Sequence, residues 1–130
     1  MRTAKLELNG QERLLCFSAR VVRSCTERYG DVTEIDSALS EDGVKGFDEA
    51  LWLLSEMMAA GDRYAKLNGL ENPPPLGVEE LLDLCDLHDF GNLRGKIEET
   101  ITSGRKTTVE VEPSNVEVEA SKNAEATQDG

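Results

Sequence analysis

Apolar and polar residues alternate at the start of the chain. Ala4, Leu6 and Leu8 take every second position, with Thr3, Lys5 and Glu7 between them. This is the period-two pattern of a strand buried on one face. Asn9-Gly10 follows, and both central residues of a type I′ hairpin turn need positive φ, which these two types tolerate. Arg13 to Phe17 supply the returning strand. A β-hairpin is therefore predicted, and its apolar face must pack on something, because an isolated hairpin is marginal.

The period then changes to that of helices. Ser18 is the expected N-cap of a helix from Ala19 to Tyr29, with Val22, Cys25 and Tyr29 on one stripe and Gly30 closing it. Thr33 to Leu39 reads as a short helix anchored by Ile35 and Leu39 at i, i+4. A loop from Ser40 leads to a long helix, roughly Val44 to Leu67. Phe47, Leu51, Leu54, Met58 and Gly61 mark one face of it, and Ala50, Leu53, Met57 and Ala60 mark a second. Apolar on more than one side, such a helix is either the central core helix or a subunit or partner contact. In the second case Trp52, Leu53, Met57 and Met58 would form the contact, since methionines suit surfaces that accept several packings.

Asn68-Gly69 is a helix stop. Pro73-Pro74-Pro75 cannot continue a helix and favour extended backbone. A short helix restarts over Val78 to Leu84, with Glu79 and Glu80 in its first turn, where the helix dipole favours negative charge. Cys85 to Phe90 bridge to a last helix, Gly91 to about Thr102, striped by Leu93, Ile97 and Ile101. Gly91 and Gly95 weaken it by roughly 1 kcal/mol each. The expected fold class is α+β: an N-terminal β-hairpin packed on a mainly helical domain, residues 1–103. Residues 104–130 have almost no large apolar side chains and read as an acidic, disordered C-terminal tail. Within it Val109-Glu110-Val111-Glu112 recurs as Val116-Glu117-Val118-Glu119. Either copy could add as a strand to an open sheet edge, through Val109 and Val111 or through Val116 and Val118.

Charge narrows the partners. The net charge is −12, and residues 1–30 carry six Lys/Arg against three Asp/Glu, leaving −15 on the rest. A phosphate backbone would be repelled by that body, so nucleic acid is not an expected partner. The balance suits a protein that shields a basic or aggregation-prone partner, and equally ordinary solubility. Cys16, Cys25 and Cys85 are odd in number and form no CxxC pair. They read as buried free thiols of a reducing cytoplasm, not as a disulfide framework or a zinc set. The start, MRTAKLELNG, lacks the apolar run of a signal peptide. The longest apolar block, Ala50 to Leu54, is far too short to span a bilayer.

Candidate chemistry is thin. His88, the single histidine, lies three positions after Cys85 and between Asp86 and Asp89. A metal needs three or four ligands, and a cysteine nucleophile needs a base held by a third group. A polar loop histidine is the simpler reading. Glu79/Glu80 and Glu98/Glu99 are adjacent pairs that diverge on a helix and do not meet at one substrate atom. No glycine loop cradles a phosphate, and Arg20, Arg23 and Arg28 lack the interleaved aromatics of a nucleic-acid face. No enzyme activity and no cofactor are expected.

Two separated segments carry a resemblance. Gly61-Asp62-Arg63-Tyr64-Ala65-Lys66-Leu67-Asn68-Gly69, the triple proline and Pro75-Leu76-Gly77-Val78-Glu79-Glu80-Leu81 form one. Phe17, Ser18, Tyr29 and Gly30 after a short hairpin form the other. Together they resemble the small tail assembly chaperones of long-tailed bacteriophages and prophages. The likeness covers roughly residues 1–103 and departs at Gly77, where that family commonly has a Thr or Ser cap. It implies a non-enzymatic protein of the host cytoplasm, absent from the mature virion. Such a protein binds the tape measure protein and helps the tail tube protein polymerise around it. Trp52, Leu53, Met57, Met58 and Tyr64 would then meet partners, with self-association also open. Two other non-enzymatic classes stand beside this one: a small structural tail or connector component of the virion, and a bacterial regulatory adaptor.

Overall fold

The structure of the protein, a computed structural model, describes residues 3–110, with side chains to 105. It is α+β: a two-stranded antiparallel hairpin packed on five helices. β1 (Thr3–Leu8) pairs with β2 (Gln11–Cys16) in the register Leu8↔Gln11 to Thr3↔Cys16. Asn9 and Gly10 both have positive φ, 53° and 78°, as a type I′ turn requires. Ala4 is buried, and Leu6 and Leu8 are half-buried against the core.

α1 (Ala19–Tyr29) starts at Ser18, whose hydroxyl accepts the Val21 N–H at 3.4 Å, and ends at Gly30, φ 89°. Its buried residues are Val21 and Cys25, with Tyr29 half-buried. The inner stripe therefore runs at four-residue steps from Val21. Val22, expected on that stripe, is only half-buried on its flank. A 3-10 turn, Val32–Glu34, leads into α2 (Ile35–Leu39), anchored by buried Ile35 and Leu39.

α3 (Gly43–Leu67) organises the rest. It packs against β2, α1, α2, α4 (Val78–Leu84) and α5 (Phe90–Glu110). Its two apolar faces are thus both covered by protein. Leu51, Leu53, Leu54 and Met57 have no exposed surface, and Met58 is 1% exposed. Leu53, Met57 and Met58 are core residues, and the partner-surface reading of those three is corrected. Of that set only Trp52 reaches the surface, half-buried. The extra width of the apolar surface reflects two adjacent faces, both buried in the core.

α3 and β2 approach each other closely at Gly61. A Cβ on Gly61 would collide with the backbone carbonyl of Leu14, so only glycine lets the helix lie this close to the strand. The connection from α3 to α4 then straps the same strand. The Asn72 Oδ1 accepts the Leu14 N–H at 2.9 Å, and the Arg13 Nε donates to the Pro74 carbonyl at 2.9 Å. The Ser55 hydroxyl donates to the Leu76 carbonyl at 3.1 Å, tying the end of the strap to α3. Gly77 has no side chain to cap α4. The Glu80 carboxylate instead reaches back to accept the Gly77 N–H at 2.8 Å, half of a capping box.

A second 3-10 turn, Leu87–Asp89, enters α5. Leu93, Ile97, Thr100 and Gly104 form the inner face of α5. Gly104 sits against Phe17, where a Cβ would lie 3.2 Å from the Phe17 Cβ and carbonyl. The boundary drawn at 103/104 from composition therefore falls inside a packed helix that continues to Glu110. Helix-compatible residues such as Arg105 and Lys106 carry it on without a large apolar stripe.

Gly61→Ala is expected to cost about 3 kcal/mol, because the methyl forces helix from strand. Gly95→Ala meets nothing within 4 Å and is expected to stabilise by about 1 kcal/mol through helix propensity. Urea unfolding of both variants checks the contrast; equal effects would place the α3–β2 contact elsewhere.

Candidate interaction surface

Surface chemistry concentrates where the end of α1 meets the outer flank of α3. Arg28 and Tyr29 are the last two residues of α1, and Glu49 and Trp52 stand one turn apart on α3. The Arg28 guanidinium grips the Glu49 carboxylate with two bonds, Nε to Oε1 at 2.9 Å and Nη2 to Oε2 at 3.1 Å. The Tyr29 hydroxyl donates to the same Oε1 at 2.6 Å. The guanidinium carbon lies 4.4 Å from the centre of the Trp52 ring, and Tyr29 meets that ring edge-on at 5.8 Å.

Each pKa shift follows from these contacts. The Arg28 hydrogen bond holds Glu49 below the usual carboxylate range, against a smaller opposing effect of burial. Arg28 is raised, chiefly by its bond to Glu49. Tyr29 is pushed well above an ordinary phenol, first by burial and then by the Glu49 bond. The cluster is a closed hydrogen-bonded set that presents a Trp–Tyr–Arg face. Those three types are enriched among residues that dominate binding energy at interfaces.

A second feature is apolar. Leu67 is 87% exposed, Leu87 57% and Leu70 47%, with Leu82 and Leu84 close behind. Leu67 and Leu70 flank the end of α3, while Leu82, Leu84 and Leu87 belong to α4 and the turn after it. Glu79, Glu80, Asp83 and Asp86 are exposed among the latter three.

The remaining candidates lie apart from this cluster. Tyr64 is half-buried, and its carbonyl accepts the Asn68 side-chain amide at 2.8 Å as α3 ends. His88 is exposed. Its backbone N–H donates to Asp86 Oδ1 at 2.9 Å, and the Asp86 N–H donates to Asp89 Oδ2 at 2.9 Å, a reciprocal cap for the turn. Cys85, by contrast, is buried. Burial raises its pKa, with Asp89 and Asp86 adding to the effect. Burial, with Glu56 nearby, pushes the Cys25 thiol up to about 11. Among the described residues no three His, Cys, Asp or Glu side chains converge as metal ligands. No described helix is long and apolar enough to cross a membrane. Val109 is a residue of α5, not of an added strand. Val111, Val116 and Val118 lie outside the described residues.

Sequence pattern did not single out Arg28, Tyr29 and Glu49 as one cluster, nor Arg13 and Asn72 as strap residues. Arg13 is 6% exposed, and its Nη1 has no partner among the described residues. The available signals were slight: an Arg-Tyr pair at a helix end, and an Asn before the prolines.

Comparison with known proteins finds no matching family model, no matching curated protein and no matching solved structure.

The depressed Glu49 pKa fixes a sign. Its contribution to stability is fully present above the ordinary carboxylate value of about 4.5 and is lost as pH falls through the lower folded value. Glu49→Gln is therefore expected to be less stable than the parent at pH 7, with the gap closing below pH 4.5. Urea titrations at several pH values check this; a gap independent of pH would contradict it.

Proposed function

We propose that this chain is a non-enzymatic assembly chaperone of a bacteriophage tail, which binds the tape measure protein and helps the tail tube polymerise around it. In this reading it acts in the host cytoplasm and is left out of the mature virion. The observation that carries the reading is the pairing of large exposed apolar side chains with a strongly acidic chain. Leu67, Leu70, Leu82, Leu84 and Leu87 stand open to solvent on a protein of net charge −12. Apolar contacts cover the stripes of a long helical partner, while like charge keeps the complexes apart.

The two segments that resemble the chaperone family support the same reading. Phe17, Tyr29 and Gly61 sit at joints of the fold, so the resemblance rests on positions with physical duties here. The contact proposed earlier moves accordingly. Trp52 stays in it, joined by Tyr29 and Arg28, while Leu53, Met57 and Met58 support the helix from inside.

Co-expression with the tape measure protein, followed by size exclusion, tests the function. The expected result is a tape measure that is insoluble alone and co-elutes with this chain when both are made. Trp52→Ala, checked for cooperative unfolding, is expected to weaken co-elution about tenfold or more, as loss of an interface anchor does. A tape measure that stays insoluble beside the folded protein would overturn the proposal.

A further inference from the structure

We propose that two copies of this chain join antiparallel through the outer edge of β1, forming one four-stranded sheet across a two-fold axis. The inference stands on the hairpin alone and does not depend on the tail-assembly reading.

The backbone sets which groups are open. A two-residue turn makes Leu8 and Gln11 a hydrogen-bonded pair, and such pairs recur at alternate positions, Leu6–Arg13 and Ala4–Leu15. The N–H and C=O groups of Lys5 and Glu7 therefore point away from β2. The opposite edge of the sheet is closed at its middle, since the outward N–H of Leu14 is taken by Asn72 and its carbonyl lies against Gly61. On the β1 edge, no other described residue bonds to the backbone of Lys5 or Glu7. An open edge of this kind is a template for pairing.

Charge selects the register. Outward groups meet only when odd-numbered residues of β1 face each other. One such register opposes Lys5 to the partner's Lys5, and another opposes Glu7 to the partner's Glu7. The one between them pairs Lys5 with the partner's Glu7 and Glu7 with the partner's Lys5. Like charges directly opposite destabilise a sheet and opposite charges stabilise it, so the middle register wins. It also corrects an imbalance within the monomer. Glu7 stands directly opposite Glu12, and Lys5 reaches Glu12 only at 4.0 Å. The partner's Lys5 would complete that row.

The apolar side agrees. In this register Leu6 meets the partner's Leu6 on the axis, and Leu8 meets the partner's Ala4. Leu6 and Leu8 are only half-buried in one copy, so apolar surface remains at the edge for the second copy to cover. One slip by a single residue would put these leucines opposite charged side chains.

Sedimentation equilibrium of the full chain tests the proposal. Its mass is expected to rise with concentration from 14.3 kDa toward twice that value. Lys5→Glu places like charges opposite each other twice and is expected to weaken association about tenfold. Lys5→Glu combined with Glu7→Lys swaps both signs and is expected to restore it. Both side chains are exposed, and circular dichroism will verify that the fold is kept. A parent protein that stays at 14.3 kDa at every concentration would overturn the proposal. So would a double variant no better than Lys5→Glu.

Discussion

A helix can lie against the backbone of a strand only where it carries no side chain, and Gly61 provides that place on α3. The contact with the Leu14 carbonyl sets the distance between the long helix and the hairpin, and the other elements take their positions from it. With α3 pressed onto β2, the connection beyond Asn68 has a short route back across the strand. Asn72, Pro74 and Leu76 are bonded along that route to Leu14, Arg13 and Ser55. The prolines hold the strap extended, which lets backbone carbonyls face Arg13 and Ser55 instead of each other. The hairpin, marginal alone, is thus fixed at one edge and over its inner face.

The same contact decides what is left for function. Because α3 is enclosed by β2 and four helices, its methionines and leucines serve the core, where unbranched Met side chains fill irregular space. On its outer flank Glu49 and Trp52 stand at the surface beside the end of α1. There the Arg28–Glu49–Tyr29 bonds hold the aromatic rings in place, so a partner would meet a preorganised face. The hairpin is left asymmetric, closed at Leu14 of β2 and open at Lys5 and Glu7 of β1.

Much of the fold was legible where local chemistry is strong. Asn9-Gly10 named the turn, Ser18 and Gly30 bounded α1, and Ile35 and Leu39 marked a five-residue helix. The apolar rhythm located α3 to within a residue. Failures came where the signal depends on what packs outside the element. Periodicity showed that α3 is apolar on two faces but not that both are covered, so it left Leu53, Met57 and Met58 open to either a core or a partner-contact reading. Valines 21 and 22 are adjacent and alike, and only packing against α3 chooses between them. The end of α5 was placed early because large apolar residues run out from Gly104, although Gly104 itself packs closely against Phe17. The Arg28 cluster joins residues about twenty positions apart, and no spacing rule connects them. Arg13 was legible as the start of the returning strand, but its burial and its bonds to Pro74 and Gln11 depend on the strap, which no local pattern shows.

The central claim is that α3 and its strap close the β2 edge at Leu14, and residue-resolved amide hydrogen exchange tests it most directly. The Leu14 N–H points out of the ladder and is bonded by Asn72. It is predicted to exchange as slowly as the Leu15 amide within the ladder, and to become fast in Asn72→Ala. A Leu14 amide that exchanges in the parent protein as fast as the outward-facing amide of Glu12 would contradict the account.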